Sequence, residues 1–126
     1  MESLVGTWRL LREEAWDSNG NKRAPLLGAR PMGLATFNDE GRMMAVLSDG
    51  SATAPGKRAY ISYCGAYTFD GKRLVTEVDG ATEARFWEAA QVRDASFADG
   101  VLTLRPPPRV FDGVELTRAL HWEKIA

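Results

Sequence analysis

Short turn signals recur along this chain and divide it into segments of strand length. Glycine after aspartate or asparagine accepts the positive φ angle that tight hairpin turns require. No window keeps a helical period, and only residues 81–90 could form a short helical turn. The spacing therefore predicts an all-β meander. The turn signals lie at Asn19-Gly20, Asp39-Glu40-Gly41, Asp49-Gly50, Asp70-Gly71, Asp79-Gly80, Asp99-Gly100 and Asp112-Gly113.

Eight strands fit between these turns. Two intervening segments, residues 19–31 and 49–58, are rich in Gly, Pro, Ala and Ser, and we interpret both as loops that could act as lids. Residues 105–109, which read RPPPR, are predicted to form an extended connection because proline has no N–H for a strand ladder. A proline-rich ligand of a signalling domain is the alternative. The predicted strands cover residues 4–16, 32–37, 42–48, 60–69, 73–78, 88–97, 101–105 and 114–123.

Two predicted hairpins indicate how the sheet divides into faces. One has a two-residue turn at Asp70-Gly71, and the other, at Asp99-Gly100, places Phe97 opposite Leu102. Each hairpin then has one mainly apolar and one mainly polar face. A one-sided sheet of about eight antiparallel strands can bury its apolar face by closing on itself, which also removes exposed edges. The sequence predicts an eight-stranded antiparallel up-and-down barrel.

Composition and charge narrow the function classes. The 126 residues suffice for one domain, so we expect residues 1–126 to form a single barrel. A formal charge of -1 gives no net attraction to nucleic acid, and no stretch approaches the ~18 apolar residues of a membrane span. One cysteine, Cys64, and one histidine, His121, argue against a zinc site, and no cofactor motif is present. The lone cysteine and the absence of a signal peptide favour the cytoplasm.

Five short motifs together resemble one family. Residues 4–10 read LVGTWRL and residues 60–67 read YISYCGAY. Residues 33–37 fit a Gly-x-x-x-Phe/Tyr pattern, residues 41–43 read GRM, and residues 120–122 fit a terminal L-x-W. With these motifs, spread over nearly the whole length, the chain resembles the bacterial and fungal lipocalin-like domain family. Its members are calycin-type β-barrels that mostly lack an assigned activity.

The resemblance implies an eight-stranded barrel with a central cavity and a particular closure. Lipocalins pair a Gly-x-Trp on the first strand with an arginine on the last strand, and Gly6, Trp8 and Arg118 are similarly placed here. In such closures the guanidinium stacks over the indole and hydrogen-bonds the backbone across the barrel base. The resemblance thus implies that these three residues close the barrel.

Polar side chains that face the barrel interior are the candidates for ligand contact. Strand alternation places Tyr63, Tyr67, Gln91 and Arg93 inward, and Trp16 is also inward if the first strand alternates regularly. We predict that these five residues bind the ligand. The glycine between the two tyrosines clears space for a flat molecule, or alternatively only permits barrel curvature while the tyrosines pack in the core.

Glu14 falls on the same predicted inward face of the first strand as Trp16. It is the candidate catalytic residue, a carboxylate poised for proton transfer beside the Arg93 cation. An inert, hydrogen-bonded ion pair at the barrel mouth is the alternative. His121 has the opposite parity to its apolar neighbours, so we predict an outward, surface-exposed histidine. Cys64 is predicted to be a lightly buried strand thiol without a catalytic partner.

Three functions fit these features. The favoured one is binding of a small, largely apolar molecule that carries a carbonyl or acidic group inside the barrel, without metal or cofactor. The alternative is an isomerase or cyclase that acts on a polyketide-like or terpenoid substrate, with Glu14 or a tyrosine moving a proton. The third is an interaction module with a solid interior that dimerises through a barrel face. A homodimer is a possible assembly in each case.

Overall fold

The computed structural model describes residues 2–51 and 59–126. This part of the chain forms ten β-strands and one short 3₁₀ helix, Ala84–Trp87, which lies in the segment predicted to contain a helical turn. Most of the predicted loop 49–58 lies outside the described residues. The strands are β1 Gly6–Asp17, β2 Lys22–Arg23, β3 Pro31–Phe37, β4 Arg42–Asp49, β5 Tyr60–Phe69, β6 Arg73–Ala81, β7 Gln91–Ala98, β8 Val101–Arg105, β9 Arg109–Phe111 and β10 Val114–Lys124.

Eight of these strands close into an antiparallel barrel. β1, β3, β4, β5, β6, β7, β8 and β10 pair in that order, and β10 pairs back with β1. The predicted eight-stranded up-and-down barrel is confirmed, and its architecture is compatible with a calycin-like fold. β2 pairs with β1 and β9 forms a hairpin with β10. The sequence does not predict these two strands, because they span only two and three residues.

The two hairpins used to predict the faces differ in outcome. β7 and β8 pair as predicted, with Phe97 opposite Leu102. The predicted turn at Asp70-Gly71 is wrong by one residue, because the Asp70 N–H donates to the carbonyl oxygen of Arg73 at 3.3 Å. The Asp70 carboxylate also accepts two backbone N–H groups of the turn, at 2.9 and 2.7 Å. The pairing of β5 with β6 is therefore shifted by two residues relative to the prediction. A shift by an even number leaves the same side chains facing inward.

A β-bulge in β1 reverses which of its side chains face the interior. The register between β1 and β10 shifts between Leu10 and Arg12, so that Leu11 is the extra residue. An insertion of one residue moves all later side chains to the opposite face. The prediction that Glu14 and Trp16 face inward is therefore wrong, and both lie on the outer side of the barrel.

Glu13 and Ala15 take the inward positions instead. Their relative exposures are 4% and 0%. Glu13 pairs with Leu120 and Ala15 pairs with Arg118, and these β10 residues both line the barrel interior. The bulge thus turns the carboxylate of Glu13 into the barrel, instead of the predicted Glu14.

Inward side chains of the barrel strands form one apolar core. Leu4 precedes β1 and Leu27 follows it, and both are nearly fully buried, so that they cover opposite ends of the barrel. Burial of a leucine side chain contributes about 1.5–3 kcal/mol. The buried core residues are Leu4, Trp8, Leu10, Leu27, Ala35, Phe37, Met43, Ala45, Leu47, Leu74, Leu102, Leu104, Leu120 and Trp122.

Gly65 lies at a close approach of β5 to β6. A Cβ atom at this position would lie 2.1 Å from the carbonyl oxygen of Glu77. Gly65 pairs with Val78, whereas the preceding Cys64 pairs with Gly80, so β6 carries a bulge beside it. Backbone atoms therefore fill the space next to this glycine. The geometry favours a role in strand curvature over cleared space for a ligand.

We expect Gly65→Ala to lower the free energy of unfolding by about 2–3 kcal/mol, because the added methyl group would overlap a backbone carbonyl that cannot move without disturbing the sheet. Urea unfolding followed by circular dichroism measures this change. Ala66→Ser, at the exposed neighbouring position, is the control and should change stability by less than about 0.5 kcal/mol. Equal stability of the two variants would contradict the close approach.

Candidate ligand-binding site

The segments that follow β1, β6 and β8 leave the barrel at one end, which we call the mouth. A cavity of about 440 Å³ lies there, between the barrel wall, the 3₁₀ helix and Pro106–Pro108. Small-molecule sites commonly measure about 300–1,000 Å³. The cavity also contradicts the solid interior that the interaction-module hypothesis requires. Its lining includes the arginines Arg85, Arg93, Arg109 and Arg118, the aromatic residues Tyr63, Phe86, Phe111 and Trp122, and the aliphatic residues Leu47, Ile61, Leu104 and Leu120.

Arg93 on β7 is a partly buried cation in the cavity wall. It donates from Nη1 to the Val92 carbonyl oxygen at 2.9 Å and from Nη2 to Gln91 Oε1 at 3.1 Å. Both acceptors are neutral, and within residues 2–51 and 59–126 no carboxylate lies at ion-pair distance from this guanidinium. Burial lowers the pKa of Arg93, and the nearby cations Arg118 and Arg85 act in the same direction. The cavity therefore holds a desolvated positive charge that these parts of the chain do not neutralise.

Two further donors in the cavity lining have no acceptor. Gln91 is 7% exposed and Trp122 is 3% exposed. Among the residues that the structure describes, neither Gln91 Nε2 nor Trp122 Nε1 has a hydrogen-bond partner. Buried polar groups in proteins are nearly always partnered, and an unmet donor costs about 1–3 kcal/mol. Gln91 and Trp122 thus each have a buried donor without an acceptor, whereas Arg93 lacks an anionic partner.

Tyr63 on β5 faces the cavity as predicted. Its ring packs against Phe86 of the 3₁₀ helix, with the ring centroids 5.4 Å apart. The Arg85 guanidinium also packs on the Phe86 ring, 4.5 Å from its centroid, and forms an ion pair with Glu83. Burial raises the pKa of the Tyr63 phenol, although nearby arginines partly oppose the shift. The phenol therefore stays protonated at neutral pH and can donate a hydrogen bond.

Glu13 connects the cavity wall to the loop between β1 and β3. Its Oε2 accepts a hydrogen bond from Arg118 Nε at 2.7 Å, and its Oε1 accepts one from the Leu27 backbone N–H at 2.9 Å. The Glu13 side chain is 0% exposed and that of Arg118 is 16% exposed. One buried carboxylate therefore orients a cavity arginine and holds the predicted lid segment 19–31 against the barrel.

Tyr67 and Trp16 do not reach this cavity. Tyr67 faces inward as predicted, but its hydroxyl donates to the Asn38 carbonyl oxygen at 2.7 Å, in the turn between β3 and β4 at the end opposite the mouth. Its ring packs edge-on against Phe37, with centroids 5.0 Å apart. Trp16 lies on the outer face because of the bulge. Of the five predicted ligand-binding residues, the structure brings Tyr63, Gln91 and Arg93 together.

Glu14 belongs to a polar row on the outer face of the barrel. Its Oε1 lies 2.7 Å from His121 Nε2, and Thr103 Oγ1 lies 2.9 Å from His121 Nδ1. Lys22 donates to Glu14 Oε2 at 3.1 Å, and this bond lowers the pKa of the carboxylate. The outward direction predicted for His121 is correct, but its predicted surface exposure is wrong, since only 8% of the residue is exposed. Glu14 has no contact with Arg93 and does not reach the cavity.

The predicted closure by Gly6, Trp8 and Arg118 is wrong in one respect. Trp8 pairs with Lys124 at the base of the barrel, and its Nε1 donates to the Leu4 carbonyl oxygen at 2.8 Å. Arg118 lies at the mouth, where it pairs with Glu13, so it cannot stack on Trp8. Gly6 does lie at the closure, because a Cβ there would come within 2.6 Å of the Ala126 carbonyl oxygen.

Sequence reasoning missed several residues of this site. The sequence predicts Glu14 instead of Glu13 as the inward carboxylate, because no turn signal marks the bulge at Leu11. Phe86 comes from the 3₁₀ helix, and Trp122 is placed by strand parity on the inward face but is not among the predicted ligand-binding residues. Strand parity gives a signal for Trp122, because it alternates with the outward His121. The cavity arginines Arg85 and Arg109 follow from no periodic pattern.

Comparison of the sequence with family models and curated proteins found no match, and comparison of the fold with solved structures found none. Among residues 2–51 and 59–126, no group of His, Cys, Asp or Glu side chains is arranged to hold a metal ion. No helix in the described chain has the length and apolarity needed to cross a membrane. The site is therefore interpreted from its own geometry.

We expect Glu13→Gln to lower the free energy of unfolding by about 3 kcal/mol, because it removes the charge partner of the mostly buried Arg118. Chemical denaturation measures this loss. Glu123→Gln is the matched control: Glu123 pairs with Arg9 across the same two strands, but the Arg9 side chain is 58% exposed and that of Glu123 is 34% exposed. Glu123→Gln should lower the free energy of unfolding by less than about 1 kcal/mol. Similar losses for the two variants would show that Glu13 is not a buried anchor.

The phenol of Tyr63 should titrate later than a free tyrosine. The difference between the phenolate absorbance curves of the wild type and Tyr63→Phe isolates this group, and we expect its midpoint above about pH 10. Because the folded pKa is raised, the stability from the neutral phenol is complete below about pH 10 and is lost as the pH rises toward the folded pKa. A midpoint at or below pH ~10 in folded protein would contradict burial of this phenol.

Proposed function

We propose that this chain is a lipocalin-like barrel that binds a small, largely apolar molecule through an acidic group in the mouth cavity. The observation that carries the proposal is Arg93, a partly buried guanidinium in the cavity wall without a carboxylate partner in the described chain. The closed eight-stranded barrel and the five family-like motifs support membership of the lipocalin-like family. The single thiol, Cys64, is consistent with a reducing compartment such as the cytoplasm.

Charge explains why an anion suits this cavity. A desolvated cation is unfavourable unless it is paired and hydrogen-bonded. Arg118 already has the Glu13 carboxylate and Arg85 has Glu83, whereas Arg93 makes hydrogen bonds only to neutral oxygens. A ligand carboxylate would accept charge-assisted hydrogen bonds from the remaining N–H groups of Arg93 and restore neutrality.

Apolar contacts would supply much of the affinity. Aliphatic and aromatic side chains from both sides of the barrel line the cavity, and removal of apolar surface from water contributes about 25 cal/mol per Å². The Tyr63 phenol lines the cavity and, because burial raises its pKa, would donate a hydrogen bond to a ligand oxygen. The residues proposed to bind the ligand are Tyr63, Gln91, Arg93, Phe86 and Trp122.

The isomerase or cyclase alternative has no comparable support. Glu14, its predicted acid–base residue, lies outside the barrel, and both carboxylate oxygens of Glu13 already accept hydrogen bonds from Leu27 and Arg118. Tyr63 is the one predicted proton donor that lines the cavity. Binding therefore accounts for the geometry with fewer assumptions. The possible homodimer stays a prediction.

Titration calorimetry with decanoate and decanol tests the proposal. These probes have chains of the same length, and only decanoate is an anion at neutral pH. We expect Arg93→Gln to weaken decanoate binding about tenfold or more, because a charge-assisted hydrogen bond contributes about 1.5–3 kcal/mol. Decanol affinity should change much less.

Arg105→Gln is the matched control, since Arg105 ends the neighbouring strand β8 and is exposed to water. It should leave the affinity for both probes unchanged. Equal binding of decanoate by the wild type and Arg93→Gln would overturn the proposal. Native mass spectrometry of protein purified from its own host would add the identity of a retained ligand.

A further inference from the structure

We propose that the acidic group of the ligand is a tetrahedral oxyanion with three terminal oxygens, such as a sulfonate, sulfate or phosphate. Tyr63, Arg93 and Arg118 each donate a hydrogen bond to a different oxygen of this group. The inference rests on the proposed function and adds to it the shape of the acidic group. Its basis is the placement of three donor side chains on three walls of the mouth cavity.

The three donors come from strands that are evenly spaced around the barrel. Tyr63 lies on β5, Arg93 on β7 and Arg118 on β10, and one strand separates each of them from the next. In the closed ring of eight strands, β5 and β10 are therefore on opposite walls, with β7 midway between them. An eight-stranded barrel is only wide enough for side chains to fill it, so long side chains from these walls extend toward the same central space.

Arg93 and Arg118 also lie at the same height in the barrel. Leu104 of β8 pairs with Ala95 of β7 and with Leu120 of β10, so these three residues form one row. Arg93 and Arg118 each lie two residues nearer the mouth on β7 and β10. Their backbones are about 10 Å apart, because neighbouring strands are spaced by about 4.8 Å. Two inward arginine side chains at this separation can contact one head group between them.

The Tyr63 phenol lies near both of these cations. Burial raises the pKa of the phenol, and the charges of Arg93 and Arg118 both oppose this shift. The repulsion between Arg93 and Arg118 likewise contributes to the lowered pKa of Arg93, after the larger effect of burial. The three groups therefore share one electrostatic environment in the cavity.

Unused donors of these side chains are open to the cavity. Glu13 accepts a hydrogen bond from Arg118 Nε, which leaves both Nη groups of Arg118 without a partner among the described residues. The Tyr63 hydroxyl and Arg93 Nε are also unpartnered there. The unpartnered side-chain atoms that are fully enclosed in the described chain belong to two other residues. A ligand oxygen can therefore reach the donors of all three walls.

The number of oxygens distinguishes a tetrahedral head group from a carboxylate. Either kind of acid supplies the negative charge that Arg93 lacks, and Glu88, which also lines the cavity, is exposed to water. A carboxylate has two oxygens in one plane, so a third donor has to share an oxygen with another wall. A tetrahedral head group presents a separate oxygen to each wall, and charge-assisted hydrogen bonds of this kind are the strong ones.

Titration calorimetry with decanesulfonate and undecanoate tests the inference. Both acids are singly charged at neutral pH and carry the same decyl tail, so they differ only in the head group. We expect the wild type to bind the sulfonate about fivefold to tenfold more tightly, as for one added hydrogen bond. Decylphosphonate should share this advantage over undecanoate, and its affinity relative to the sulfonate distinguishes a phosphate from a sulfate as the natural head group.

Two variants show whether the preference comes from these donors. Tyr63→Phe removes one donor, leaves the ion pair of Glu13 with Arg118 intact, and should reduce the preference to less than about twofold. Arg118→Lys retains a charge beside Glu13 but lacks the fork of Nη donors, and it should lose the preference as well. Tyr67→Phe is the matched control, because the Tyr67 hydroxyl donates at the opposite end of the barrel; this variant should keep the preference.

The outcomes separate this inference from the proposed function. Equal affinities of the wild type for decanesulfonate and undecanoate would overturn the inference, as would a preference that persists in Tyr63→Phe or in Arg118→Lys. If Arg93→Gln still weakens the binding of both acids in that case, the proposed function stands and only the tetrahedral head group is refuted. If Arg93→Gln binds both acids as tightly as the wild type, the proposed function fails.

Discussion

Closure of the barrel through the pairing of β1 with β10 is the constraint on which the site depends. The bulge at Leu11 lets β1 follow this closure, and it also decides which carboxylate enters the barrel. Without the extra residue, Glu14 would face the interior. With it, Glu13 faces inward, and the adjacent Glu14 joins an outer row with His121. A single irregularity of the backbone thus sets the electrostatics on both sides of the wall.

The charges inside the mouth follow from this arrangement. Glu13 is fully engaged by Arg118 and by the loop that contains Leu27, so it cannot also neutralise Arg93. The described residues therefore leave the partly buried cation Arg93 without a carboxylate partner, and two buried N–H donors without an acceptor. Apolar side chains in place of these groups would make the barrel itself more stable. A partly buried cation without a carboxylate partner, in a cavity with apolar walls, is the feature that favours an anionic ligand.

The sequence predicts the architecture of this chain better than its site. Asp-Gly turns and alternating segments are local signals, and they are sufficient to predict the eight barrel strands and the pairing at Asp99-Gly100. Even the misplaced turn at Asp70 preserved the faces, because the pairing register moved by an even step. The inward directions of Tyr63 and Arg93 followed from these hairpins, which explains why they were found.

The residues that were misplaced depend on features without a local signal. A bulge adds one residue without changing composition, so alternation counted from the start of β1 fails after Leu11. Tyr67 faces inward as predicted, but it lies just before the turn that follows β5, at the end opposite the mouth. Strand parity alone does not separate the two ends, which follow from the order of the strands. The burial of His121 likewise depends on neighbours from two other strands, Thr103 and Glu14.

The same groups argue for binding rather than proton transfer. A general acid or base works best when its pKa lies near the operating pH. Burial raises the pKa of the Tyr63 phenol further above neutrality. The guanidinium of Arg93 is a donor rather than a base at any ordinary pH, because arginine does not lose its proton in proteins. The buried carboxylate of Glu13 already accepts hydrogen bonds from two donors, Leu27 N–H and Arg118. A cavity whose described polar groups act mainly as fixed donors is suited to hold an anion in place.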